Sequence, residues 1–319
     1  MSKRGWTGDE LLNSKFKEPP ALIPGFIWKG DNIIILGDAK AGKSLFTLQL
    51  NNNLTSGTKF LDQFPVTEIC NVLSVQAEGK MFDTIARYKR MSLEIPGNPS
   101  NLRWLYLPHV PMDRETSALD FIHIVKEEFG DWIPQVIIFD PLYMLRSKGS
   151  LANDEVAGDI TANLNKIKEY YNGVTIIINH HEHRKKLNTD KWSYFDEGDN
   201  SIFGSFIWRA WPDHIIHFIK ENDKNRKVTC NTQRTGSVIK DLKLYFNEPD
   251  PLFFEIQEDT TQSEHIIHKL IEKQGQVTIK NIVELLPLDY SESTIYKSLR
   301  RLCLRKVIRR EGRGQYVVC

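Results

Sequence analysis

The chain has 319 residues, 40% hydrophobic and 26% charged, proportions that exclude wholesale disorder and leave room for one α/β domain plus a smaller module. Its net charge of +1 conceals an uneven distribution: residues 262–319 carry 11 Lys/Arg against 6 Asp/Glu, a surplus of 5, which leaves the first 261 residues at −4; a basic end module favours a polyanion partner. Cys70, Cys230, Cys303 and Cys319 form no C-x-x-C pair, which excludes a disulfide frame or structural zinc site as the organising device, and no window reaches the ~18 apolar residues of a membrane span, so a cytoplasmic protein without a membrane partner is expected.

Residues 1–30 are polar and then proline-rich, with Leu22, Ile23, Phe26, Ile27 and Trp28 interspersed, which suggests an arm lying across a neighbouring surface. Residues 31–250 read as an α/β core. Ile33, Ile34, Ile35 and Leu36 make an apolar β-branched strand, and residues 44–54 follow with helical apolar spacing. Further strands are expected at 72–77, 136–139 and 174–178, with helices around 81–91, 116–128 and 154–171. Short apolar runs alternating with helices imply a mainly parallel sheet covered on both faces. Residues 185–200 are hydrophilic around Trp192, Tyr194 and Phe195 and mark a long loop. Residues 213–218 and 227–232 form a strand pair extending the sheet, and the turn formers at 247–251, followed by the acidic 257–261, mark the domain boundary, with the core ending at 250.

Between the first strand and its helix stands Gly37-Asp38-Ala39-Lys40-Ala41-Gly42-Lys43-Ser44, a full G-x-x-x-x-G-K-S/T phosphate loop running into Leu45. Glycines let backbone N–H groups face phosphate oxygens, Lys43 reaches the β/γ-phosphates, the Ser44 hydroxyl ligates Mg²⁺, and the helix adds its positive end. ATP with Mg²⁺ is the expected ligand. Lys40 either adds positive charge near phosphate or faces solvent. Asp140 ends the strand at 136–139, where a second group for Mg²⁺ is needed beside the loop. Glu78 follows the 72–77 strand, expected next to the loop strand, and is the candidate for positioning and deprotonating the attacking water. Asn179, His180, His181, Glu182 and His183 follow the 174–178 strand. His180 or His181 can sense a γ-phosphate, the run can bind a transition metal, or it is a polar loop; neighbouring residues on a strand point oppositely, which opposes convergence on one ion.

With these residues in hand, residues 1–245 resemble the RecA-like hexameric ATPases related to plasmid and phage RepA-type replicative helicases. The likeness rests on Leu22-Ile23-Pro24-Gly25, the phosphate loop, Glu78, Asp140-Pro141, Asn179-His180-His181, and Gly204-Ser205 before Asp213. It implies a ring with ATP between subunits and a neighbour's cation at the γ-phosphate, a role it gives to Arg234 in Gln233-Arg234-Thr235-Gly236. Thr232 stands where relatives often carry Lys, so Arg234 would act alone; Arg226 and Lys227 are weaker candidates.

Residues 262–319 read as helix, helix, helix, hairpin. Ile266, Ile267, Leu270 and Ile271 make one apolar face, residues 277–286 a second short helix, and Ser291 with Thr294 starts a third running to about 306. Lys297, Arg300, Arg301 and Arg305 are placed on its outer face, and Arg309, Arg310 and Arg313 on a hairpin with a glycine-bearing turn. The arrangement resembles a winged helix-turn-helix; cations on one helix face and at a hairpin tip suit DNA phosphates, though such modules also serve protein contacts or structure alone. The expectation is a ring-forming, Mg²⁺-dependent ATPase that moves or processes DNA in replication of a mobile element; the alternative is an ATP-switched DNA-binding regulator or loader.

Overall fold

The computed structural model describes residues 5–15, 19–107, 109–181, 205–233, 241–247, 252–256, 260–286, 290–304, 307–312 and 314–319. They divide into two compact units, Met1–Ile256 and Gln257–Cys319.

In the first unit a short helix α1 (Gly8–Leu12) precedes the paired strands β1 (Ala21–Ile23) and β2 (Ile27–Trp28). Then follow β3 (Asn32–Gly37), α2 (Lys43–Ser56), β4 (Val72–Gln76), α3 (Met81–Ser92), β5 (Leu102–Tyr106), α4 (Ser117–Phe129) and β6 (Val136–Asp140). A 3₁₀ turn (Leu142–Leu145) leads to α5 (Asp154–Tyr170), β7 (Thr175–His181), α6 (Ile207–Ala210), β8 (His214–Lys220), β9 (Asn225–Gln233), β10 (Leu242–Asn247) and β11 (Phe253–Ile256). One nine-stranded sheet runs in the order β11-β10-β9-β8-β3-β7-β6-β4-β5. The six strands from β8 to β5 are parallel, and β9, β10 and β11 continue beyond β8, each antiparallel to the strand before it.

Buried β-branched runs explain the parallel strands, because both sheet faces are covered. On one face Ile34, Leu36, Ile137, Phe139, Ile176 and Ile178 pack with residues of α4 and α5. On the other, Ile33, Ile35, Val136, Ile138 and Ile177 pack with Phe46, Leu50 and Leu54 of α2. Asn153 starts α5 by accepting from Glu155 N at 2.7 Å through Oδ1, a side-chain cap for an otherwise orphaned amide.

Leu22, Ile23, Phe26 and Ile27, from the stretch read as an arm, are buried in the α2-side core of the same unit. Three readings need correction. The boundary at 247–251 precedes β11, a strand of the core sheet, so that unit runs to Ile256. β11 is held because the Gln49 side chain bonds both backbone groups of Phe254, at 2.9 and 2.7 Å. β4 is not next to β3; β7 and β6 lie between them. β7 continues to His181, so Asn179, His180 and His181 belong to the strand rather than following it.

The second unit comprises α7 (Thr260–Gln274), β12 (Gln276–Thr278), α8 (Ile279–Leu285), α9 (Glu292–Leu304), β13 (Ile308–Glu311) and β14 (Gln315–Val318). Its sheet order is β12-β14-β13, and Ile267, Ile271, Val277, Ile282, Ile295, Leu299, Leu302, Ile308 and Tyr316 form its core. Val277, expected on a helix, lies on β12; the Thr278 hydroxyl then caps α8 by accepting from Asn281 N. The fold is an α/β core of RecA-like type followed by a winged-helix domain.

Candidate functional site

The phosphate loop leaves the carboxyl end of β3 between β7 and β8. A Cβ on Gly37 would stand 2.2 Å from the Phe218 carbonyl oxygen, so only glycine lets β3 run this close to β8 before turning. Gly42 caps α2 at φ 109, a region that excludes most side chains. Ala41 N donates to Asp38 O at 3.2 Å, and the Leu45 and Phe46 amides donate to Gly42 O. The first amides of α2 have no partner within the helix and face its positive end, a setting for an anion. Ala39, Lys40 and Ser44 are exposed, Asp38 and Leu45 half-buried, and Ala41 buried. Lys43 is buried; its Nζ donates to Gly37 O at 2.7 Å and Asp38 O at 2.9 Å and lies 3.3 Å from His181 Nδ1.

Arg226 braces the loop from β9. Its Nε donates to Ala41 O at 2.6 Å and its guanidinium lies 5.6 Å over the Phe246 ring. Lys227 pairs with Asp241 at 2.6 Å. Both cations are thus engaged within their own chain. Arg234 lies outside the described residues.

Asp140, at the end of β6, is buried. Burial pushes its carboxyl above the ordinary carboxylate range; Ser44, Asn179 and Lys43 pull it back, while Glu78 adds to the rise. Asn179 donates to Thr47 Oγ1 at 3.2 Å, tying β7 to α2, and its buried Oδ1 has no hydrogen-bond partner among the described residues. Glu78 is exposed just past β4. Near it, burial and then Glu78 push the Tyr143 phenol up to about 12. The Tyr143 ring stands 5.8 Å from that of His181 at 32°. Burial, then Lys43, holds the His181 imidazole below its ordinary range, against the opposing pull of Glu78 and Asp140.

Lys43, Ser44, Glu78, Asp140 and His181 therefore lie together, whereas His180 is buried on the alternate face of β7. Tyr143 has no counterpart in the sequence reading; its only signal is an aromatic three residues after a strand-ending Asp. The donor set suits a triphosphate with Mg²⁺. A buried carboxylate raised by desolvation is stabilised by an opposite charge, and Ser44 at the helix end belongs to the surroundings that act on Asp140. Among the described residues no group of three or more His, Cys, Asp or Glu is arranged to hold a metal ion, and no helix is long and apolar enough to cross a membrane.

In the second unit Arg300, Arg309 and Arg310 are exposed and Lys297 is half-buried; Arg309 pairs with Glu311 at 2.7 Å. Arg301, expected on the outer face, is instead buried and lies 3.9 Å from the buried Glu264 of α7. Three residues after the buried Ser298, it borders the apolar stripe of Ile295, Leu299 and Leu302. Arg305 and Arg313 lie outside the described residues.

Residues 260–318 match a family described as penicillinase repressor. Among solved structures, a KaiC-like protein from the hyperthermophilic archaeon Pyrococcus horikoshii is 15% identical, over 76% of this chain and 99% of its own, with a TM-score of 0.48. The flagellar accessory protein FlaH of Methanocaldococcus jannaschii is 17% identical, over 72% and 90%, with a TM-score of 0.44. A DnaB-like replicative helicase is 13% identical, over 78% of this chain and 66% of its own, with a TM-score of 0.53; that likeness is one of fold. No curated protein matches in sequence. Residues 3–186, more than half of the chain and spanning the loop, Glu78, Asp140 and His181, match a family described as AAA domain, and the chain belongs to that family.

Proposed function

We propose that the protein is an ATP-hydrolysing, DNA-processing motor of RepA-like helicase type, assembling as a hexameric ring and serving replication of a plasmid, phage or other mobile element. The observation that carries the ATPase reading is buried Lys43, whose Nζ donates to Gly37 O and Asp38 O, with Ser44, Asp140 and Glu78 in one charge cluster beside it. Lys43 and the first amides of α2 hold the phosphates, and Glu78 orients water and takes its proton. Ser44 and Asp140 would hold Mg²⁺, which would supply charge neutralisation at the phosphates. His181, in contact with Lys43, reports whether a γ-phosphate is present, and Arg234 of an adjacent subunit is the trans cation. The fold shared with a DnaB-like replicative helicase supports the motor reading.

Arg300, Arg309 and Arg310, exposed on α9 and β13, supply the DNA phosphate contacts, with Lys297 beside them. The likeness of residues 260–318 to a penicillinase repressor favours a second reading, a DNA-binding regulator or loader whose assembly ATP switches. Turnover measured with and without forked DNA, alongside strand displacement, separates the two. The motor gives DNA-stimulated turnover with displacement; nucleotide-dependent assembly and DNA binding without displacement supports the regulator.

A further inference from the structure

Gly42 is the point on which the phosphate loop turns into its helix. It caps α2 at φ 109, and its carbonyl accepts from the Leu45 and Phe46 amides at 3.0 and 2.9 Å. Glycine has more backbone conformations open to it than any other residue, so holding this one ready for an anion needs a block from outside the loop. The block comes from the far end of the first unit. A Cβ built on Gly42 would stand 3.0 Å from Cζ of Phe254 and 3.5 Å from Cε1 of Phe218. The Phe254 ring of β11 therefore lies directly on the Gly42 backbone.

The ring is fixed from two sides. β11 ends the order of the nine-stranded sheet, so among the described residues one row of its backbone groups faces no further strand. Gln49 of α2 satisfies that row: its Nε2 donates to Phe254 O at 2.9 Å, and Phe254 N donates to its Oε1 at 2.7 Å. Gln49 lies seven residues after Gly42, two helical turns on and on the same face, and helix side chains lean back toward the N-terminus. A strand gripped there brings its side chain to Gly42. Around the ring stand Phe246 at 4.8 Å, Phe218 at 5.4 Å and Phe46 at 6.2 Å, and both Gln49 and Phe254 are fully buried.

We propose that Phe254 and Gln49 are positioning residues for nucleotide binding: the ring walls Gly42 into the conformation that presents the first amides of α2 to phosphate, and Gln49 holds the ring in place. β11 is thereby part of the nucleotide site, although 205 residues separate Gln49 from Phe254. The proposal rests on the reading of the loop as an ATP site. Linkage makes the effect reciprocal: a strand that favours the binding conformation of the loop is itself steadied by bound nucleotide.

The test uses the full chain with a slowly hydrolysed ATP analogue and Mg²⁺, in the native protein, Phe254→Leu, Gln49→Met and the pair. Leu164→Ala opens a cavity in the core on the other sheet face and serves as the control for lost stability alone. All the variants are expected to melt earlier than the native chain. Phe254→Leu and Gln49→Met should each weaken analogue binding about 10-fold, the worth of one hydrogen bond to a charged group. The pair should lose less than the product of the two, because both act through one contact, and Leu164→Ala should stay within about 2-fold of native affinity. In the native chain the analogue should slow amide hydrogen exchange across 252–256 and leave β5, at the opposite end of the sheet, unchanged; Gln49→Met should lose that protection. Native affinity in both single variants overturns the proposal, as does an equal loss in Leu164→Ala or analogue binding that leaves exchange at 252–256 unaltered. No affinity of the native chain for the analogue overturns the reading of the loop itself, and the proposal with it.

Discussion

At the scale of single residues, Arg226 presents Nε to Ala41 O and NH1 to Asn225 O at 2.9 Å while stacking over Phe246, a geometry that a lysine ammonium cannot reproduce. Arg226→Lys is therefore expected to destabilise the protein by roughly 1–3 kcal/mol, the cost of unsatisfied buried hydrogen-bonding groups, and to weaken ATP binding by loosening the loop. Thermal unfolding and ATP titration check this; a wild-type midpoint and affinity would leave Arg226 without the bracing role. The phosphate loop was legible in the sequence because its chemistry fixes residue types at fixed spacing, so Gly37, Gly42, Lys43 and Ser44 announce themselves locally. Arg226 did not, because its partner Ala41 lies 185 residues away in the chain and nothing near Arg226 in sequence encodes the contact. Tyr143 escaped for the same reason: its place near Glu78 depends on β4 lying beside β6.

At the scale of elements, the strongly periodic strands and helices of the core were legible from apolar pattern, and β5, β10 and β11 were not. β11 is only four residues long and follows a cluster of turn formers, which in sequence look the same whether they end a domain or join two antiparallel strands. Its place is set by the Gln49 clamp and by Phe254, whose ring lies 5.4 Å from that of Phe218, contacts no local pattern reveals. On α9 the sequence placed four cations on one face, but helical spacing sends Arg301 to the border of the buried stripe. Arg301→Ala is expected to lower the stability of the second unit, because it leaves the buried Glu264 without that cation, whereas the pair Arg309→Ala and Arg310→Ala should weaken DNA binding and flatten its salt dependence by about 2 in slope. Unfolding and DNA titrations at several salt concentrations distinguish them; a reversed outcome would return Arg301 to the outer surface.

At the scale of the whole molecule, sequence pattern gave the α/β class and the parallel character of the sheet, but strand order is a long-range property, and β4 proved to lie beyond β7 and β6 rather than beside β3. Glu78 nevertheless reaches the charge environment of Asp140 and His181, because all these strands run parallel and end at one edge, where ligands of open α/β sheets bind. The cluster is coherent only if a magnesium triphosphate sits among Lys43, Ser44 and Asp140. The most direct measurement is therefore a titration of the purified full chain with a slowly hydrolysed ATP analogue, with and without Mg²⁺, beside Lys43→Ala. Mg²⁺-dependent binding by the native chain, weakened at least about 10-fold in the variant through loss of a charge-assisted contact, is the predicted result; no affinity for the analogue with Mg²⁺ present, or equal affinity in the variant, would contradict it.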